Sequence, residues 1–230
     1  MSAIADALRA DRSGWTIPAE LERAWCWMET WGLTVIKDGH CMTAPFPVAP
    51  QAGPFFTSEP AADATLEAWF DDGRSHHDRL LPIARVSADG SIGALWRDDD
   101  GGVRAVVLGS KGAAYTIADD VRGLLALFAI GYRDLTSWEL GLPPNDDDAV
   151  ESVSDFRTWV EHDLGITVPP EWPAVGDDDF SAWIDAALSL LGTPGYTVTA
   201  LPAAAAALTL TIWAAVCLAA YAAALIRRDA

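Results

Sequence analysis

His76, His77 and Asp78 form the densest run of potential metal ligands and proton carriers in the chain. Imidazole next to carboxylate suits a zinc centre or an activated water. Neighbouring residues, however, point in different directions on a helix or a strand, so consecutive ligands rarely share one ion. His40, Cys41 and His162 are scattered and add no ligand pair at metal spacing. A solvated loop ahead of a strand is the better reading, and a metal-dependent hydrolase built on His76, His77 and Asp78 is the alternative. Three aspartate triplets, Asp98–Asp100, Asp146–Asp148 and Asp177–Asp179, carry the oxygen ligands that hard cations prefer. None has the glycine and glutamate spacing of a calcium loop, so they read as turns and helix starts. There is no Gly-x-Ser-x-Gly, no Gly-x-x-x-x-Gly-Lys and no Gly-x-Gly-x-x-Gly. The chain is therefore expected to be no enzyme, with no catalytic residue, no cofactor and no metal.

The elements around these residues are legible from periodicity. Leu80–Val86 reads as a strand, and Asp89-Gly90 is a tight-turn signal. Ser91–Arg97 is the second strand, with Ile92, Ala94 and Trp96 on one face by the two-residue period. Asp98 to Gly102 breaks it, because acids and glycines favour turns. Val103–Leu108 is the third strand, with Val103, Ala105 and Val107 on one face, and Ala114–Ile117 the fourth. A helix follows over Asp119–Tyr132, capped by Asp119, with Val121, Leu124, Leu125, Phe128, Ala129 and Tyr132 as its apolar stripe. Upstream, Pro18–Trp31 reads as a helix burying Leu21, Ala24, Trp25, Met28 and Trp31. Its Trp25, Trp27 and Trp31 are expected to pack in the core rather than stack a ligand. Leu33–Lys37 and His40–Thr43 read as a hairpin around Asp38-Gly39, residues 45–60 as a proline-rich loop, and Asp63–Phe70 as a short helix.

The order and wording of these segments resemble one family. Leu81-Pro82-Ile83-Ala84, Asp89-Gly90, Ser91-Ile92-Gly93-Ala94-Leu95-Trp96, the Val-rich strand and the Leu/Phe helix are similar to the centre of the SMI1/KNR4 (SUKH) family. Trp15-Thr16-Ile17-Pro18-Ala19-Glu20-Leu21 resembles its opening Leu-Pro helix start. The likeness covers roughly residues 15–135. One difference is Trp31-Gly32-Leu33 after the first helix, where members often carry Gly-Gly. The resemblance implies an α+β fold, an antiparallel meander with packed helices. It also implies a bacterial toxin-immunity protein that masks a cognate toxin, often a nuclease, without catalysis. A membrane-tethered adaptor is the alternative from the same protein-binding class.

Charge fits that implication. The formal net charge is −18 over 230 residues. The last thirty residues hold only Arg227, Arg228 and Asp229 as charged groups, so the acidic excess lies before them. Such a field repels phosphate backbones and excludes direct nucleic-acid binding. It accelerates encounter with a basic protein, such as a nuclease with a positive cleft. The candidate partner-binding residues are Asp71, Asp72, Trp96, Asp98, Asp99 and Asp100. Cys26, Cys41 and Cys217 are too few and too scattered for a disulfide framework. Residues 1–14 lack a signal-peptide core. Both features favour a cytoplasmic setting for the globular part.

The expected organisation is a SUKH-like α+β domain over 1–140, a linker over 141–153, a helical appendage over 154–191 and an apolar helix over 201–226. The appendage holds a small repeat. Asp155-Phe156-Arg157-Thr158-Trp159-Val160 matches Asp179-Phe180-Ser181-Ala182-Trp183-Ile184, and each puts its aromatics and branched residue on one helical face. Leu201–Ile226 is free of charge and long enough to span a bilayer. It is read as a possible membrane anchor, the competing reading being a buried Ala-rich helix in a wholly cytoplasmic protein. Arg227-Arg228 and the N-terminal domain both prefer the cytoplasm, so the orientation of a single span stays open.

Overall fold

The computed structural model describes residues 2–12, 14–47, 53–59, 61–70 and 78–190. The chain divides into a unit of residues 1–191 and a second of residues 192–230. The second unit, with the expected apolar helix over 201–226, lies outside the described residues. Among the described residues, no helix is long and apolar enough to cross a membrane.

Seven strands pair antiparallel in sequence order, so the sheet is a pure meander. They are β1 (Thr34–Lys37), β2 (His40–Thr43), β3 (Phe55–Thr57), β4 (Leu80–Arg85), β5 (Ile92–Arg97), β6 (Val103–Leu108) and β7 (Ala114–Ala118). The β1–β2 hairpin turns through Asp38 and Gly39, both at positive φ, 52° and 82°. That pair gives the mirror-image turn that matches strand twist, which is why Asp-Gly marks it in the sequence. Between β4 and β5 the register shifts at Pro82/Ala84. Pro82 has no N–H for the ladder, and a bulge absorbs that deficit.

Among the described residues the helices are α1 (Ala3–Asp11), α2 (Ala19–Thr30), α3 (Ala61–Phe70), α4 (Val121–Phe128), α5 (Asp147–Ser152), α6 (Ser154–Asp163) and α7 (Asp179–Leu190). They cover both faces of the sheet. On the first face, α2, α4 and α6 bury Trp25, Met28, Leu124, Phe128, Phe156 and Val160 against Leu81, Ile83, Leu95, Ala105 and Val107. Phe56 of β3 stacks on Phe128 with centroids 4.3 Å apart. On the second face, α3 and α7 bury Leu66, Phe70, Phe180 and Ile184 against Ile92, Ala94, Trp96, Val106 and Leu108. The two alternating sets read from the sequence therefore lie on opposite faces. Ala105 and Val107 face α4, whereas Ile92, Ala94 and Trp96 face α7. A strand buried on both sides needs apolar residues at every position, and β5 is buried from Ile92 to Trp96.

Two local details differ from expectation. Helix α4 is capped by Asp120, not Asp119. The Asp120 carboxylate accepts from the Gly123 amide at 2.7 Å, and the helix ends at Phe128, before Tyr132. Tyr132 instead donates its hydroxyl to the Leu142 carbonyl at 2.6 Å and accepts from the Trp172 amide at 2.9 Å. The stretch 141–153, expected as a linker, contains α5 and buries Ala149 and Val153. Gly131, at φ +99°, allows this approach. A Cβ there would sit 2.6 Å from the Val150 Cα. Arg157 on α6 then donates to the Ala129 and Ile130 carbonyls at 2.9 and 2.8 Å. Those are the orphan acceptors that follow the end of α4.

Candidate protein-binding surface

The acidic turn after β5 is neutralised locally. The Asp98 carboxylate accepts from the Gly102 amide at 2.6 Å and lies 3.4 Å from Arg104 Nε. Asp99 is 87% exposed, yet it meets Arg79 Nη1 at 2.7 Å. Arg104 also reaches Asp179 on α7 at 3.5 Å. Asp100 is exposed at the tip. Exposed pairs of this type contribute little to stability, but they cancel the local field that a basic partner would follow. Trp96 is only 3% exposed. Its ring sits 5.1 Å from Phe180 and 5.7 Å from Trp183, under the Arg79 and Arg104 guanidinium groups at 5.7 and 5.9 Å. Contrary to the expectation of a partner-facing aromatic, Trp96 offers no surface here, because α7 covers the face on which it lies. Asp71, Asp72, His76 and His77 lie outside the described residues. Among the described residues, no group of three His, Cys, Asp or Glu could hold a metal ion.

The two edges of the sheet are treated differently. At β7, the Asp178 carboxylate accepts the Thr116 amide at 2.6 Å and caps α7 through the Phe180 and Ser181 amides at 2.9 and 3.0 Å. The Trp172 indole donates to the Ile117 carbonyl at 2.7 Å. Burial pushes the Asp178 pKa up, but the amides of Ser181 and Thr116 outweigh it and hold the carboxyl below its ordinary value. The β7 edge is thereby sealed. The β1 edge has no strand beyond it among the described residues. A two-residue loop closes on a hydrogen-bonded Lys37–His40 pair, so by parity Thr34 and Ile36 direct their amides and carbonyls outward. Ile36 is 68% exposed and Val35 40%.

An aromatic band lies on α2 and α6, next in the chain to this open edge. Trp31, 59% exposed, sits 5.3 Å from Trp27. Trp27 stacks on Trp159 at 5.6 Å, and Trp159 on Phe156 at 5.9 Å. The band thus runs from the core at Phe156 to solvent at Trp31. Trp25 does pack in the core, edge-on to Phe56 at 5.7 Å. Trp31 does not, because it is the C-cap residue beyond the last turn of α2, and its ring meets Trp27 instead. The signal that could have separated it is Gly32, which ends the helix just after Trp31 and leaves that side chain at the helix terminus. Asp155 and Asp163, four residues on either side of Trp159, are exposed and rim the band with acid. Arg23 donates to the Asp163 carbonyl at 3.2 Å.

Other concavities carry less chemistry. A cleft of about 440 Å³ is lined by Glu59, Arg85, Arg133 and Asp134. Arg85 pairs with Glu59 at 3.5 Å and Arg133 with Asp146, so the lining balances its own charge. The buried Cys41 thiol is pushed up to about 11 by burial and by Glu29, far from the thiolate that nucleophilic chemistry needs. Trp138, 64% exposed, lies 5.9 Å from the Lys111 ammonium on a separate part of the surface. Comparison with models of known families, with curated proteins and with solved structures finds no match to this chain.

Proposed function

We propose that this chain is a non-enzymatic protein-binding module of SUKH-like fold. In this reading it is an immunity-type protein that masks a basic, nuclease-type partner. The meander followed by a packed helix agrees with the order that the family resemblance implies. The observation that carries the reading is the partly buried band Trp159–Trp27, which opens to solvent at Trp31, on a chain of net charge −18. Aromatic residues are enriched at protein interfaces and among the few residues that dominate their binding energy. The acidic field adds fast, salt-dependent association with a basic surface.

The test is co-expression of the full chain with each neighbouring gene product that is toxic when expressed alone. The reading requires that the full chain restore growth and co-purify with one such product in a stoichiometric complex. Undiminished toxicity without a complex would remove it. The uncharged run Leu201–Ile226 favours a tethered form of the same module. Carbonate-resistant pelleting of the full chain supports the tether, and a chain that stays in the supernatant without detergent removes it.

A further inference from the structure

The open edge of β1 and the aromatic band beside it form one docking surface. We infer that it takes an extended segment of another protein, apolar at alternate positions and flanked by Lys or Arg, which adds to the sheet as an eighth strand. This rests on the protein-binding reading above and names the surface and the mode.

Three observations carry it. First, the sheet ends are unequal. Side chains from the 172–178 segment occupy the outward groups of β7. The outward amides and carbonyls of Thr34 and Ile36 have no partner among the described residues. Natural edges of this type are usually blunted or covered, and β1 carries only Lys37 as a guard. An added strand satisfies these backbone groups whatever its sequence, and its alternate side chains give specificity.

Second, apolar surface is present where such side chains would fall. Ile36 pairs with Cys41, which belongs to the core of the first face, so Ile36 lies on the face that carries α2. Trp31 ends α2, three residues before β1, with its ring largely in solvent. An incoming strand would present every second residue to this face.

Third, charge selects the occupant. A second copy would pair Thr34 with Ile36 symmetrically about Val35, but it would bring two chains of −18 together. An anionic membrane is repelled by the same field. A segment with cationic flanks is attracted, and exposed Asp38, Asp155 and Asp163 are available at the rim.

The experiment is amide hydrogen exchange on the full chain, free and with three synthetic decapeptides. One has an alternating Val/Phe centre with Lys flanks. The second has Glu flanks. The third is the Lys-flanked peptide N-methylated at alternate residues, which removes its ladder donors. The inference requires at least tenfold slower exchange at the Thr34 and Ile36 amides with the first peptide. Protection should be tenfold weaker or absent with the other two. Trp31→Ala and Ile36→Asp should each weaken binding at least tenfold with the melting midpoint unchanged.

Equal protection by the Glu-flanked peptide overturns the charge selection, and protection elsewhere overturns the edge. Protection of the outward Thr34 and Ile36 amides in the free chain, with or without dimerisation, shows the edge already occupied and also overturns it. The same map with the toxic neighbouring-gene product separates the two proposals. If that product protects a different segment, the edge fails and the protein-binding reading stands. If it protects no segment at all, the protein-binding reading fails.

Discussion

Helices α6 and α7 carry the same short sequence pattern and end in different situations. In both, the first aromatic and the branched residue are buried to 2% exposure or less: Phe156 and Val160 in one, Phe180 and Ile184 in the other. They pack on opposite faces of the sheet. The difference lies in what meets the tryptophan. Trp183 on α7 sits over Arg79 at 5.1 Å and beside Trp96, whose ring is closed off from solvent. Trp159 on α6 stacks on Trp27, which leads out to Trp31 in solvent. One copy of the pattern finishes a face, and the other leaves an aromatic exit. A repeated motif fixes how a helix seats, while its neighbours decide whether surface remains for a partner.

The largest effect expected from breaking this comparison is at the two buried aromatics. Phe156→Ala and Phe180→Ala should each destabilise the fold by about 3–5 kcal/mol in denaturant melts, as for a buried aromatic truncated to a methyl. Phe180→Ala should in addition expose Trp96, read as a red shift of its emission in a background with other surface tryptophans replaced. A cost below about 1 kcal/mol for Phe180→Ala would mean that α7 is not the cover of that face.

A smaller effect is expected at Asp178, which joins the α7 cap to the β7 edge. Asp178→Ala should cost about 1–2 kcal/mol through the lost cap. The carboxyl is held below its ordinary pKa, so its contribution is complete above the ordinary carboxylate value of about 4 and is lost as pH falls through the lower folded value. The wild-type chain should therefore lose stability in that acid window, and Asp178→Asn should lose less there. Identical acid profiles for the two would contradict the role given to Asp178.

The smallest stability effect belongs to the open side. Trp31→Ala should change the unfolding free energy by less than about 1 kcal/mol, because its ring is mostly in water. Its effect should fall on binding. Neutralising Asp98, Asp99 and Asp100 together should leave stability within about 1 kcal/mol. It should also slow association with a basic partner less than loss of Trp31 weakens binding, since two of the three acids already face arginines.

Much of this architecture is legible in the sequence where periodicity is strong. Strands β4 to β7 sit within one residue of where alternation puts them, and helix α4 starts two residues later and ends four earlier than its Leu/Phe stripe suggests. The β1–β2 hairpin follows from Asp38-Gly39. The three-residue β3 escapes, because prolines at 45, 47, 50, 54 and 60 mask a strand too short to show a period. The α5 turn escapes because its acidic start, Asp146–Asp148, reads as solvated linker when the docking at Gly131 is unseen. Coverage of both sheet faces escapes for a related reason. The residues that hide Trp96, namely Phe180 and Trp183, lie more than eighty positions away, and no local signal ties them to β5. The aromatic exit was visible only as a cluster of tryptophans. Which of them is buried depends on the stripe that α2 turns toward the sheet.

The most direct measurement is oxidative footprinting of the tryptophans in the full chain, alone and in complex with the Lys-flanked decapeptide. Trp138 serves as the internal control, because it is as exposed as Trp31 and lies outside the band. Free protein should oxidise rapidly at Trp31 and Trp138 and slowly at Trp25 and Trp96. In the complex, Trp31 should become protected while Trp138 keeps its free rate. Protection of Trp138 with Trp31 unchanged would contradict the account.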